Sequence, residues 1–408
     1  MRPFVLTGAA CLVAFLSTVG AALPYPILAP LFAAEAVNPL NHFLGLPPKL
    51  LLGVALAINP LGLLLGTALL GPLSDRLGRR PVLLATAVGA ALGHALTAVA
   101  LLAQSYPLFI VARFATGLME GNASVARAML ADALDGAARV KAFAWLNSAL
   151  YSGWLAGPLL AAVALAWGDT APFWVASVAM VLTALLVLGA VPGIAPAQGS
   201  DGLSWWQAAQ RSHALTLLRH ADLRILFVIQ LAYTCGVTAF YEFYPLWLVE
   251  VAGYDARGIA WLTAALCAVM ALSSVVFGRS ASSQPLRAGA WFALLSALCI
   301  LAVALGNAPL GIAAVVLFGA PNAIYNAVMP VWASERYGHH GQGAVMGLWS
   351  TTFCVANIVM AALGAGLTLW DTRLILGVGA LLSIWAAWRI AQWSTEGLTK
   401  AAAQQMQP

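Results

Sequence analysis

Long apolar runs alternate along the chain with short clusters of charged, Gly and Pro residues, and this alternation is the strongest signal in the sequence. A helix that crosses a bilayer needs about 20 predominantly apolar residues. Cutting at the polar clusters gives about twelve such runs, near 5–32, 49–72, 81–103, 107–131, 141–167, 171–192, 222–250, 257–278, 288–306, 309–333, 342–369 and 372–395. Only helices and closed barrels satisfy every backbone polar group in hydrocarbon, so the prediction is an all-α polytopic membrane protein. Its expected domains are a first half over 1–192, a linker over 193–221, a second half over 222–395 and a tail over 396–408. In the linker, Ser204 and Gln207 have capping-box spacing. Trp205, Trp206, Arg211 and Arg219 there suit a helix lying on the membrane surface. Met1 and Arg2 lead straight into the first run, which reads as a retained helix rather than a cleaved signal.

Composition sharpens this picture by exclusion. The 408 residues are 62% hydrophobic and only 8% charged, where a soluble domain carries roughly 25% charge. Nucleic-acid modules, cytosolic enzymes and disordered scaffolds are thereby poor candidates. All but four of the nineteen Lys and Arg fall in or beside the termini and alternate loops, which the positive-inside rule makes cytoplasmic together with both chain ends. The exceptions are Lys49, Arg257 and Arg373 on the far side and Arg113 within a run. The five cysteines lie in separate apolar runs without metal-ligand spacing and read as small buried hydrophobes. His339 and His340, beside Glu335 and Arg336, are loop residues, and no metal site is expected. No phosphate-binding loop of the P-loop type is present, so the chain is not expected to hydrolyse ATP, and no set of nucleophile, base and acid suggests an enzyme.

Between the second and third runs stands Gly71-Pro72-Leu73-Ser74-Asp75-Arg76-Leu77-Gly78-Arg79-Arg80-Pro81. This segment resembles the signature loop of the major facilitator superfamily, G-x-L-[SA]-D-R-x-G-R-[RK], at every specified position. In the second half, Gly278 and Arg287 repeat the spacing of Gly71 and Arg80 without the Asp. The fourth run begins Arg113-Phe114-Ala115-Thr116-Gly117, similar to the family's R-x-x-x-G motif, and Gly153, Gly157 and Pro158 in the fifth are similar to the core of its antiporter motif. The resemblance implies two six-helix halves related as repeats, with a substrate site between them near the membrane midplane. Within the family the chain most resembles twelve-span drug and tetracycline proton antiporters. Where the tetracycline exporters place an acid in the first span this chain has Ser17, the acid of their third span falls at Gly93, and the ninth span has none. The resemblance therefore does not carry tetracycline over as the substrate.

Only Glu120, Glu242 and Arg113 lie well inside apolar runs. A charge at the centre of a membrane helix costs about 2.5–3.5 kcal/mol, so such residues mark function or demand a partner. Helical periodicity puts Arg113, Gly117, Glu120, Ser124 and Arg127 on one face. Two readings follow: Glu120 is a proton- or substrate-binding carboxylate, or it forms a fixed ion pair that locks the fourth run to a neighbour. Glu242 lies in Tyr241-Glu242-Phe243-Tyr244-Pro245 and equally admits a cation pocket or an acid near the outer interface beside Glu250. Tyr233, Phe240, Tyr244 and Trp247 form a stripe on the opposite face, while Thr238 and Cys235 share the Glu242 face. Asn322, Tyr325 and Asn326 of the tenth run, with Asn147 and Tyr151 of the fifth and Tyr241, Phe243 and Thr238 of the seventh, are the expected cavity residues. At the cytoplasmic end the resemblance implies a gating set of Asp75, Arg76, Gly78, Arg79, Arg80, Asp132 and Arg139, with Asp75, Asp132, Arg76, Arg80 and Arg139 as its charge cluster. His94 reads as a core residue, and Asn59-Pro60 and Pro24-Tyr25-Pro26 mark expected bends.

The expected function is proton-coupled efflux of a small amphipathic organic compound by alternating access. The rivals are a transporter for one metabolite, such as a siderophore or sugar, and a non-transporting membrane sensor. The partners expected are the lipid bilayer, protons and the transported small molecule, with no nucleic acid and no cofactor beyond the coupling proton. A monomer in a bacterial inner membrane is expected.

Overall fold

The computed structural model describes residues 3–33, 37–134, 136–191, 214–277, 284–340 and 342–405. The chain divides into two compact units, Met1–His213 with Asp255–Ala264, and Ala214–Tyr254 with Ala265–Pro408.

The first unit contains α1 (Pro3–Ala22), α2 (Tyr25–Ala33), α3 (Pro48–Leu77), α4 (Arg79–Leu102), α5 (Tyr106–Glu120), α6 (Ala123–Ala133), α7 (Gly136–Ala164) and α8 (Ala171–Ala190). Then come α9 (Ala221–Ala252), α10 (Ala256–Phe277), α11 (Pro285–Ala304), α12 (Ala308–Tyr337), α13 (Gln342–Leu367) and α14 (Thr372–Gln405). Of these α10 is shared between the units, and the other five belong to the second.

Among the described residues, eleven helical stretches are long and apolar enough to cross a membrane, α1 and α2 counting as one. The expected run 107–131 is interrupted: α5 stops at Glu120, Gly121 and Asn122 form a turn, and α6 restarts at Ala123. Gly and Asn are weak helix formers, and a Cβ on Gly121 would strike the Gly66 backbone, so this turn sits against α3. Leu23 and Pro24 turn the chain between α1 and α2. No such break follows Asn59, because α3 runs through Pro60 without interruption, and α9 likewise continues through Pro245. The final helix extends to Gln405, well beyond the expected end of the last run. The expected surface helix at 204–207, the spacing partner Gly278 and the side chains of Asn147 and Tyr151 lie outside the described residues.

Within the first unit α1 packs on α7 and α8, α3 on α5, and α4 on both α5 and α8. Small residues make these approaches close, as in membrane bundles generally. The motifs Gly62-x-x-x-Gly66 and Gly117-x-x-x-Gly121 face each other, and a Cβ on any of the four would strike backbone across the seam. Along α4, Val88, Leu92, Leu96 and Val99 are exposed while Ala90, Ala91, His94 and Thr97 are buried, so His94 points inward. A Cβ on Gly153 would come 2.6 Å from the Phe15 carbonyl oxygen, and one on Gly157 2.7 Å from Ala22 Cβ. The antiporter-like glycines are therefore the contact surface of α7 on α1.

In the second unit α11 packs on α12 and α14, and α9 on α13 and α14. The aromatic stripe of α9 belongs to this core: Tyr233 stacks on Tyr325 at 3.7 Å and Phe240 on Phe318 at 4.0 Å between ring centroids. Phe243, expected beside a cavity, is fully buried and fills the space left by Gly364. Tyr325, also expected there, is fully buried under Tyr233.

Candidate functional site

Glu120 ends α5 and is 3% exposed. Its Oε1 lies 3.1 Å from Nε2 of His94, which α4 carries inward and which is wholly buried. Its Oε2 accepts a hydrogen bond of 3.2 Å from Asn59 Nδ2 of α3. The same Asn59 amide lies 3.2 Å from the backbone oxygen of Arg113. Three helices thus converge on one carboxylate, and the two glycine seams set the distances. Gly93, next to His94, lets α4 touch Thr116, one turn before Glu120. Gly117 lets α5 press against the Asn59 backbone. From above, α1 covers the pair with Gly20, where a Cβ would come 2.5 Å from His94 Nε2 and 2.7 Å from Glu120 Oε1. One turn before Gly20 on α1, Ser17 donates to Asn122 Oδ1 at 3.0 Å, just past the break in the span.

His94, expected as a core residue, is buried as expected, and its Nε2 meets the Glu120 carboxylate. Arg113, on the same helical face as the acid, forms no ion pair with it. It is 3% exposed, and its Nε and Nη1 have no protein hydrogen-bond partner. It lines a void of about 10 Å³ with Tyr25, Asn59 and Pro60 among others, a volume that holds about one water molecule. The gap between Arg113 and Glu120 along the helix is filled by Asn59, not by the guanidinium. His94 and Asn59 were legible in principle, since polar side chains in apolar spans need partners. Their common target was not.

At the end of the unit that carries the signature loop, Gly78 joins α3 to α4 at φ +93°, a conformation that strains any residue with a Cβ. The turn delivers Arg79 onto two acids. Its Nη2 pairs with Asp75 Oδ1, and its Nε and Nη2 both lie 2.9 Å from Asp132 Oδ2. Its Nη1 also donates to Ser74 Oγ. Arg79, named in the expected gating set but not in its charge cluster, links the two acids, while Arg80 donates to the Leu188 carbonyl and Arg139 to that of Leu134. Every contact just described lies within the first unit.

In the second unit Glu242 is 2% exposed, and among the described residues neither carboxylate oxygen has a hydrogen-bond partner. It lies two helical turns inside the exposed Glu250, which argues against the interfacial reading. Thr238 and Cys235 on its face are buried as well. The expected cavity residues Tyr241, Asn322 and Asn326 bond to one another. Asn322 Nδ2 donates to Tyr241 Oη at 3.3 Å, Tyr233 Oη donates to Asn322 Oδ1 at 3.2 Å, and Asn326 Nδ2 donates to the same oxygen at 3.0 Å. Tyr325 Oη donates to Gln230 Oε1 at 2.8 Å.

A bundle of long apolar helices holding a few enclosed polar centres defines a multi-pass membrane protein. The family profile described as Major Facilitator Superfamily matches residues 10–307, and the chain belongs to that superfamily. Curated relatives include the class B tetracycline resistance protein of Escherichia coli, 31% identical over 186 residues that make up 45% of this chain and 43% of that protein. The class C protein of Escherichia coli is 37% identical over 136 residues, 33% of each chain. The matched stretch thus spans less than half the length of these relatives. The solved structure of the human organic anion transporter MFSD10 superposes with a TM-score of 0.68 at 19% identity, over 96% of this chain and 100% of that one. The nucleoside transporter NupG superposes with a TM-score of 0.68 at 13% identity, over 95% and 99% of the two chains. At these identities the likeness is one of fold.

Proposed function

We propose that this transporter exports a small amphipathic organic compound in exchange for protons, working by alternating access, with the His94–Glu120 pair as its proton-carrying group. The observation that carries the reading is that pair, a histidine and a carboxylate in contact and closed off from solvent inside a membrane helix bundle. A buried charge is retained only where it is paired and hydrogen-bonded. Glu120 meets that condition through His94 Nε2 and Asn59 Nδ2, and imidazole and carboxylate are both proton-exchanging groups. Arg113 lies two helical turns before Glu120 on the same face of α5. The tetracycline resistance relatives support export of a drug-like compound. The Arg79 link between Asp75 and Asp132 supports a gating role for the signature loop, since a switch of two states needs a bias of only a few kcal/mol. The distribution of Lys and Arg supports cytoplasmic termini, the Escherichia coli relatives suit a bacterial inner membrane, and no part of the reading requires a second copy.

The test is transport in everted membrane vesicles under an imposed pH gradient, across chemically distinct organic compounds. Uptake of at least one compound should collapse with a protonophore, and Glu120→Gln should abolish the gradient dependence. Movement indifferent to the gradient would remove antiport, and strict selectivity for one sugar or siderophore would favour the metabolite reading.

A further inference from the structure

The two charged groups that α5 carries inward meet different surroundings. Both oxygens of Glu120 are engaged, one by His94 and one by Asn59. Arg113 is just as deeply buried, yet among the described residues its Nε and Nη1 have no hydrogen-bond partner. Glu120 stands two turns further along α5, with its oxygens turned to other donors. A buried cation without a counter-charge is among the costlier features a fold can retain, and an arginine does not escape the cost by losing its proton. The guanidinium borders the void of about 10 Å³ already described. Asn59, Pro60 and Ala55 of α3 line that space on one side, and Pro24 and Tyr25, where α2 begins, line it on another. No acid is among its described lining residues. The start of a helix carries the positive end of its dipole and favours negative charge. A helix start and a buried guanidinium with unused donors therefore border one enclosed space and favour the same kind of occupant.

We propose that this void is a binding site for a monatomic inorganic anion, a halide such as chloride, held by the Arg113 guanidinium at the start of α2. Size selects the class. The space takes an occupant of about one water molecule, which excludes phosphate, sulfate, carboxylates and any organic anion. Fluoride is closest to water in size and chloride somewhat larger. A water molecule would satisfy the unused donors of Arg113 and leave its charge unanswered, whereas a halide answers both. The site is separate from the His94–Glu120 contact, since Asn59 stands between Arg113 and Glu120. The inference goes beyond the transport reading and does not require it.

The experiment is chloride NMR line broadening on the purified full-length chain, with gluconate, too large for the void, holding the ionic strength constant. The wild type should give excess broadening that saturates with chloride and falls when fluoride is added as a competitor. Arg113→Gln keeps a hydrogen-bonding side chain without the charge and should weaken chloride binding about tenfold or more. Broadening that never saturates in the wild type, or equal affinity in Arg113→Gln, overturns the inference. Should Arg113→Gln fail to fold, Ala55→Val decides instead, because its added methyl groups fill the void and leave the guanidinium in place. Loss of the saturable broadening in that variant supports the assignment, and its retention overturns it. Arg113-dependent chloride binding in a protein whose transport ignores the pH gradient would remove proton coupling and leave this inference standing.

Discussion

His94 Nε2 and Glu120 Oε1 stand 3.1 Å apart inside the first unit, 26 residues apart in sequence and on different helices. Deleting one member of a buried pair leaves the other uncompensated, at a cost of about 3–5 kcal/mol. His94→Leu should therefore destabilise the protein by an amount in that range. Glu120→Gln keeps a hydrogen-bonding group opposite His94 and Asn59 and should cost less. The double variant His94→Leu with Glu120→Leu should be more stable than the sum of its singles, because both hydrogen-bonding partners leave together. Chemical denaturation in detergent measures all three, and strict additivity would mean that the two side chains are not coupled.

Gly20 has no Cβ where one would stand 2.5 Å from the imidazole and 2.7 Å from the carboxylate. Gly20→Ala should force the pair apart or push α1 away, with an overpacking cost of about 1–3 kcal/mol, and should lower gradient-driven transport. Gly8 lies on the same helix with nothing within 4 Å of its would-be Cβ, so Gly8→Ala is the matched control and should transport normally.

The seam between α3 and α5 predicts a similar contrast. Gly62→Ala and Gly117→Ala each drive a methyl into opposing backbone, which moves less readily than a side chain. Both should lower the melting temperature more than Gly189→Ala, whose Cβ meets nothing within 4 Å. Thermal unfolding of the purified variants reads the order directly.

Arg79 bridges Asp75 and Asp132, and both acids are 55% exposed at the side chain. Exposed pairs contribute about 0–1 kcal/mol each, so Asp75→Asn and Asp132→Asn should leave folding nearly unchanged while reducing transport. Arg79→Ala should do more damage than either, since it also frees Ser74 and both acids at once. Arg79→Lys loses the forked geometry and should fall between. Wild-type transport rates in all four variants would remove the gating role.

The apolar runs, the polar clusters between them and the signature loop made the helical membrane fold and the superfamily legible from residues alone. The positions of Glu120, Glu242 and Arg113 were equally plain, because a charge within twenty apolar residues stands out in any register. The partners were not legible. On a soluble helix, polarity marks the outward face; here lipid and core are both apolar, so the pattern along α4 does not announce that His94 points inward. Periodicity relates residues on one helix, and it correctly put Arg113 and Glu120 on a common face. It could not show that Asn59 of α3 would fill the gap between them. The interruption after Glu120 depends on Gly66 pressing from across a seam, and the choice of Arg79 over its neighbours depends on the turn at Gly78. In each case the sequence by itself determined which groups are in the membrane and must be satisfied. Tertiary structure decided who satisfies them, because that is settled by contacts between helices whose facing surfaces are set by small-residue packing rather than by any polar stripe. Glu242 is where the two levels diverge: the sequence demands a partner, and the described residues provide no hydrogen bond to either of its oxygens.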